Sequence, residues 1–155
     1  MNNPKQKSES AKYWEEHLLS WEASAYYKEG QQNANWWDRL STIFRGDGMY
    51  VRMNAALDLA APYINGMSVL DVGCASGRFP FRMLQAGASK VYGTDISAEA
   101  IQNAKKRGAE LGLQDKLDFS VMDVVQPNSP LPRVDLVTAL GVIEYFNVEA
   151  MSAFL

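Results

Sequence analysis

The residues best equipped for chemistry begin at Asp71, where the stretch Val69-Leu70-Asp71-Val72-Gly73-Cys74-Ala75-Ser76-Gly77 carries an acidic side chain into a glycine loop. Gly73 and Gly77 admit backbone torsions closed to other residues and let a ligand approach without a Cβ in the way. The loop amides, and the unpaired N–H groups that open a following helix, suit an anionic group. Spacing narrows the choice of ligand. A P-loop needs Lys and then Ser or Thr after its final glycine, and this chain has Arg78-Phe79. The dinucleotide fingerprint is G-x-G-x-x-G, whereas the series here is Gly73, Ala75, Gly77. Asp95 follows Gly73 by 22 positions (95 − 73), close to the ~20-residue offset of a carboxylate that accepts both hydroxyls of a ribose. A carboxylate suits a vicinal diol because its oxygens only accept. Further on, Asp123 can accept from an adenine amino group, while Ile96 and Met122 are apolar enough to sandwich the ring.

Other chemistries fit less well. Cys74 is the single cysteine and His17 the single histidine, so an internal disulfide and a dense Cys/His metal cluster are both excluded. No second histidine accompanies Cys74, and any small residue would fill its loop position, which argues against a nucleophile. Fifteen basic against eighteen acidic residues give a net charge of −3 with no basic run, so the electrostatic footprint of nucleic-acid binding is missing and a small-molecule partner is expected. With 155 residues and 47% of them hydrophobic, the chain is about one domain long and can bury a sizeable core. Residues 1–10 lack an apolar signal core, and no stretch approaches the roughly 20 apolar residues of a membrane span. The expected location is the cytoplasm.

The elements that must position these residues follow from periodicity. Residues 1–65 read as a helical, aromatic-rich extension holding all four tryptophans (Trp14, Trp21, Trp36, Trp37) with Tyr13, Tyr26, Tyr27, Phe44 and Tyr50. Trp14, Leu18, Trp21 and Ala25 recur at three- and four-residue steps, which predicts a helix over 11–28 that Gly30 ends. A second helix is predicted over 35–44, broken by Gly46-Asp47-Gly48. A third spans 49–64, with Met53, Ala56, Leu57 and Ala60 on one face and a stop near Pro62 to Gly66. Such helices can be core, a lid over a ligand or a wall for an apolar substrate.

From residue 66 the pattern alternates strand and helix, which implies a parallel sheet with helices on both faces. Strands are predicted over 67–72, 90–95, 117–122 and 134–140. Helices are predicted over 76–86, stopped by Gly87, and over 98–111, capped by Ser97 and closed by Gly112, with Ala100, Ile101, Ala104 and Leu111 turned inward. A proline-rich loop covers 123–133, and a last helix begins at Asn147. Right-handed crossovers set the second strand beside the first, the third outside it and the fourth on the other flank. Ligands of such sheets bind beyond the carboxyl ends of the strands at the switch point, here between strands one and four. Gly73–Gly77, Asp95, Asp123 and Leu140-Gly141 would gather there.

In order and spacing these features resemble the motifs of class I S-adenosylmethionine-dependent methyltransferases: an acidic residue before a G-x-G-x-G loop, with Ala75 in place of the middle glycine, acidic ends on strands two and three, and the Asp-initiated fourth strand Val134-Asp135-Leu136-Val137. The resemblance covers about Leu57 to Leu155. It implies a Rossmann-like doubly wound domain over 66–155 that takes S-adenosyl-L-methionine as cofactor and leaves S-adenosyl-L-homocysteine, with Asp71, Gly73, Cys74, Ala75, Ser76 and Gly77 at the methionine moiety and Asp71 near its amino group. Asp95 would take the ribose and Asp123 the adenine edge, with Ile96 and Met122 about the ring and Val124 also at the cofactor. The segment Ala139-Leu140-Gly141-Val142-Ile143-Glu144-Tyr145-Phe146 looks like the post-strand-four motif of bacterial members, which places Leu140 at the cofactor and makes Glu144 and Tyr145 the candidate catalytic residues. The stretch from Trp37-Asp38-Arg39 to Tyr50 is loosely similar to the entrance arm of magnesium-protoporphyrin methyltransferases.

The resemblance also implies seven strands in the order 3-2-1-4-5-7-6, of which four are legible. The expectation is a fragment, or a sheet completed by a partner or a second copy. The leading reading is a methyltransferase acting on a small molecule, with no metal. Its rivals are a noncatalytic module of the same fold that pairs with an active subunit, and an NAD-binding oxidoreductase, which the loop spacing disfavours.

Overall fold

The computed structural model describes residues 12–14, 16–18, 48–126 and 129–146. Residues 12–14 and 16–18 are helical, as the periodicity predicts. The rest of that first helix, Gly30, the helix over 35–44 and the helix from Asn147 lie outside the described residues. The remaining elements are α1 (Gly48–Ala60), β1 (Ser68–Val72), α2 (Arg78–Gln85), β2 (Lys90–Asp95), α3 (Ala98–Glu110), β3 (Leu117–Val121), β4 (Leu136–Thr138) and a 3-10 turn over Ile143–Tyr145. Among the described residues no helix is long and apolar enough to cross a membrane.

Among the described residues the strand pairings are parallel, and the order is β3-β2-β1-β4, as the crossover argument requires. β1 is central, with every residue after Ser68 buried. It therefore reads as an unbroken apolar run around one acidic residue rather than as an alternation. Its side chains split between two cores because successive residues point to opposite faces. Val69 joins Val91, Leu117 and Phe119 beneath Phe79, Phe81, Met83, Ile101 and Ala104 of α2 and α3, with Met53 and Ile64 in the same cluster. Leu70 and Val72 face the other way, against Val124 and partly buried residues of the 122–146 stretch such as Met122, Val134 and Val142. α1, α2 and α3 thus pack on one face, α2 and α3 because both crossovers turn in the same direction, where helices on both faces were expected; among the described residues the other face is covered by the 122–146 stretch.

The element ends show where local chemistry outweighs periodicity. β4 is only three residues long, where a seven-residue strand was expected: Asp135, just before it, accepts from Ser68 N and Ser68 Oγ at 2.8 and 2.7 Å, and the run is closed by Ala139-Leu140-Gly141. α3 keeps its predicted cap, with Ser97 Oγ accepting from Ala100 N at 3.2 Å. At its other end Leu111 is exposed rather than inward. Gly112 turns left-handed (φ +67°), Leu113 N donates to Gly108 O at 2.9 Å, and Leu113 packs on the core instead. This is the hydrophobic contact that accompanies a left-handed helix stop.

Phe119 sets the distance between sheet and helices. A Cβ added at Gly93 would lie 2.6 Å from Phe119 Cδ1 and 2.8 Å from Cys74 Sγ, and one added at Gly77 would lie 2.9 Å from Phe119 Cζ. Both glycines exist to admit that ring. Gly93→Ala should therefore lower stability by about 1–3 kcal/mol through overpacking. Gly108→Ala should raise it by about 0.5–1 kcal/mol, because an alanine there meets nothing closer than 3.9 Å and helices favour alanine over glycine. Urea unfolding midpoints of the two variants check the opposite signs.

Candidate functional site

The site is built where β1 gives way to the glycine loop. Gly73 is left-handed (φ +71°), Ala75 is left-handed without being glycine (φ +49°), and Gly77 is left-handed again (φ +82°). Alternate residues thus turn the chain back, and the position where the family pattern has its middle glycine demands a torsion that an alanine adopts only at a cost. Gly77 then opens α2 without a capping side chain, leaving that end of the helix as the anion-facing end.

Most loop amides are already bonded. Gly73 N and Cys74 N both donate to Thr94 O, at 2.8 and 3.0 Å, and Gly77 N donates to Cys74 O at 2.9 Å. Ala75 N donates to Asp95 Oδ2 at 2.8 Å. The expectation that these amides serve an anionic ligand is corrected accordingly: they hold the loop against β2. The close approach at Gly73 is likewise internal, since an added Cβ would lie 2.9 Å from Val142 Cβ and Cγ2. The post-β4 segment is seated on the loop at this point.

Asp95 ends β2 and is buried. Its Oδ1 accepts from Ser97 N at 2.9 Å, while Oδ2 holds Ala75. Burial raises its pKa above the usual carboxylate range, and the backbone donors of Ser97, Ala75 and Ile96 oppose that shift. Each carboxylate oxygen has further acceptor capacity. Ile96 and Met122 are both partly buried beside it, with Met122 N donating to Asp95 O at 2.8 Å.

Asp71, one residue before the end of β1, pairs in register with Thr138 of β4. Thr138 Oγ1 donates to Asp71 Oδ1 at 2.7 Å, and among the described residues no donor reaches Oδ2. Burial pushes this carboxyl up to about 7; the Thr138 hydroxyl lowers it and the Asp95 charge raises it. Thr138 has no place in the motif pattern. A signal existed in its position at the end of the strand predicted to flank β1, but its pairing with Asp71 depends on a register that the sequence does not give.

The other predicted residues fall into two groups. Asp123 is occupied in its own turn, accepting from Val125 N at 3.3 Å and Gln126 Nε2 at 3.1 Å. Val124 is buried against Leu70 and Val72, and Leu140 is partly buried against the helix-side core. Ser76 is partly buried in the loop, and Cys74 is buried, its Sγ 3.6 Å from Ala75 O. Glu144 and Tyr145 are exposed on the 3-10 turn just after Val142. Glu144 lies 3.8 Å from Arg52 of α1, and the Tyr145 ring meets Trp14 edge-on at 5.2 Å between centroids. The N-terminal helical residues and α1 therefore both reach the turn that the loop supports. Among the described residues no group of acidic, histidine or cysteine side chains could hold a metal ion.

Comparison with known proteins gives this geometry its context. A methyltransferase domain family matches residues 69–155. An aklanonic acid methyltransferase of Streptomyces sp. strain C5 is 33% identical over 109 residues, covering 68% of this chain and 46% of that protein. The ribosomal protein L11 methyltransferase of Salmonella arizonae is 38% identical over 56 residues, 36% of this chain and 19% of that one. This chain thus spans less than half the length of these curated relatives. In fold it is similar to magnesium protoporphyrin IX methyltransferase from Synechocystis PCC 6803 with bound SAH, at a TM-score of 0.67 and 24% identity over 94% of this chain and 63% of that one.

Two consequences are measurable. Asp71 binds its proton more tightly when folded (about 7) than its ordinary value of 3.8, so at this position the native chain holds more proton between those values, and its contribution to stability falls as pH rises from about 4 through about 7. Each unit of separation corresponds to 1.36 kcal/mol, and Asp71→Asn should flatten the fall in urea titrations across that range. Ala75→Gly should leave the fold intact and stabilise it by up to about 1 kcal/mol, the relief of left-handed strain less the added entropy of the unfolded chain. A thermal melt that moves down would contradict it.

Proposed function

The chain belongs to the methyltransferase domain family, and from that premise we propose that it binds S-adenosylmethionine and transfers the methyl group to a small-molecule acceptor. The observation that carries the reading is the tie between the acidic end of β2 and the glycine loop, Ala75 N to Asp95 Oδ2 at 2.8 Å. It sets beside the loop a buried carboxylate whose two oxygens retain acceptor capacity for a vicinal diol. The rest of the donor set fits the same molecule: Asp71 Oδ2 is open to an ammonium group, the first turn of α2 suits a carboxylate, and Ile96 and Met122 offer apolar contacts to a flat ring.

When bound, the sulfonium supplies a methyl group already activated by positive charge, so transfer is an in-line displacement. The task left to the chain is orientation of the acceptor and exclusion of water. The turn carrying Glu144 and Tyr145 is supported for that role by Val142, which rests on Gly73, and by the contacts of Trp14 and Arg52 with it. These contacts favour residues 1–65 as a cover over the acceptor side, with Glu144 and Tyr145 as candidate proton acceptors. A small acceptor is favoured over nucleic acid by the net charge of −3, and over a protein by the reach of the match to the aklanonic acid methyltransferase, 68% of this chain against 36% for the ribosomal protein enzyme. A cytoplasmic location belongs to the same reading.

The test is calorimetric titration with S-adenosylhomocysteine, with NAD in parallel. Binding of the former alone is expected. Asp95→Ala should weaken it by about 1.5–3 kcal/mol, the range for a hydrogen bond to a charged group, and an unchanged affinity would remove Asp95 from the assignment. Binding of NAD alone would overturn the cofactor.

A further inference from the structure

The Asp71 carboxyl is asymmetric in its surroundings. Oδ1 is held by a neutral hydroxyl from the neighbouring strand at 2.7 Å, while Oδ2 receives no donor from the described residues. The β1–β4 register that pairs Asp71 with Thr138 fixes which oxygen is taken. The other acceptors within reach of Thr138 Oγ1, Leu70 O at 3.5 Å and Met83 Sδ at 4.0 Å, are farther away, so its one hydrogen goes to Asp71. Being buried, the carboxyl favours its neutral form unless something stabilises the charge.

The charged groups around it are few. β2 contributes Asp95, which works against ionisation. β4 contributes none, its residues being Leu136, Val137 and Thr138. α2 carries Arg78 and Arg82, of which Arg82 donates to Asn54 of α1. Of the influences on this carboxyl, desolvation and Asp95 oppose ionisation, and the hydroxyl of Thr138 favours the carboxylate, the form able to pair with a cation.

We propose that Thr138 is a positioning residue for the ligand's amino group: its hydroxyl holds Oδ1, favours the carboxylate form of Asp71 and leaves Oδ2 to face an ammonium. The proposal rests on the S-adenosyl reading given above. It assigns a function to the end of β4 beyond pairing with β1, and it makes retention of the amino-acid half of the ligand depend on the Thr138 hydroxyl and on pH.

The experiment has two arms. In the first, the Asp71 carboxyl is followed by carbon-13 NMR between pH 4 and 9 in the ligand-free chain, in wild type, Thr138→Val and Thr138→Ser. Loss of the hydroxyl in Thr138→Val should raise the midpoint by about one pH unit, the size of a hydrogen bond to a charged group, and Thr138→Ser should restore it. Should valine disturb the fold, Thr138→Ala removes the same hydroxyl with a smaller side chain, and a midpoint in Thr138→Ala equal to wild type would overturn the assignment. In the second arm, S-adenosylhomocysteine and 5′-methylthioadenosine, which lacks the amino-acid portion, are titrated at pH 6 and pH 8. S-adenosylhomocysteine should bind wild type more tightly at pH 8 and lose about tenfold in Thr138→Val at pH 7, while 5′-methylthioadenosine should show no such loss in Thr138→Val. An equal midpoint in wild type and Thr138→Val, or an equal loss for both ligands, overturns the role of Thr138 while the function stands. Binding of neither ligand by folded wild type overturns the function, and this inference with it.

Discussion

The carboxylate of Asp95 joins three parts of the chain that are distant in sequence or differ in kind. One oxygen takes the amide of Ala75 in the loop after β1, the other takes the amide of Ser97, and Ser97 in turn caps α3 through Ala100 N. The end of β2, the glycine loop and the start of a helix are thereby held by a single buried acid. The desolvation this requires is offset by backbone donors, which is why the group can remain buried. The same bonds hold the loop in a left-handed turn at Ala75 that the residue's own stereochemistry resists. Without that carboxylate the loop amides would lose one of their two anchors, the other being the carbonyl of Thr94.

Around this anchor the glycines divide by function. Gly73 makes room for Val142, and Gly77 and Gly93 make room for Phe119. None of these spaces is explained by a ligand alone. A glycine-rich loop in this fold is therefore as much a packing device as a binding one: it lets β1, α2 and the post-β4 segment approach closely enough that the acidic strand ends converge. The helical N-terminal residues and α1 then meet the 3-10 turn from outside, through Trp14 and Arg52.

Much of this was legible in the sequence because it depended on short-range signals. β2 spans Lys90–Asp95 as read from its apolar run, the Ser97 cap lies where a serine precedes a helical period, and the strand order follows from crossover handedness alone. The inward face of α1, with Met53 buried and Ala56, Leu57 and Ala60 partly so, followed from the 3.6-residue period. What escaped depended on register or on competition. β4 was expected to be longer because its apolar run continues past Thr138, and Leu111 was expected inward because periodicity carries no knowledge of the left-handed stop at Gly112. Thr138 was passed over because a threonine in a strand is unremarkable until its neighbour is known. The loop amides were assigned to a ligand because sequence cannot show that Thr94 O already takes two of them.

The burial of Asp71 also makes the chain a reservoir of exchangeable hydrogen near neutrality. With its carboxyl pushed up to about 7, the folded chain carries a fractional proton at that position, and any cation seated against Oδ2 would expel it into the medium. Association would then be accompanied by acidification of the solvent, and the heat observed would include the ionisation enthalpy of whichever buffer takes up the released proton. Apparent binding enthalpies measured in phosphate and in Tris would differ even where the contacts formed are identical, and that difference divided by the difference in buffer enthalpies would count the proton directly.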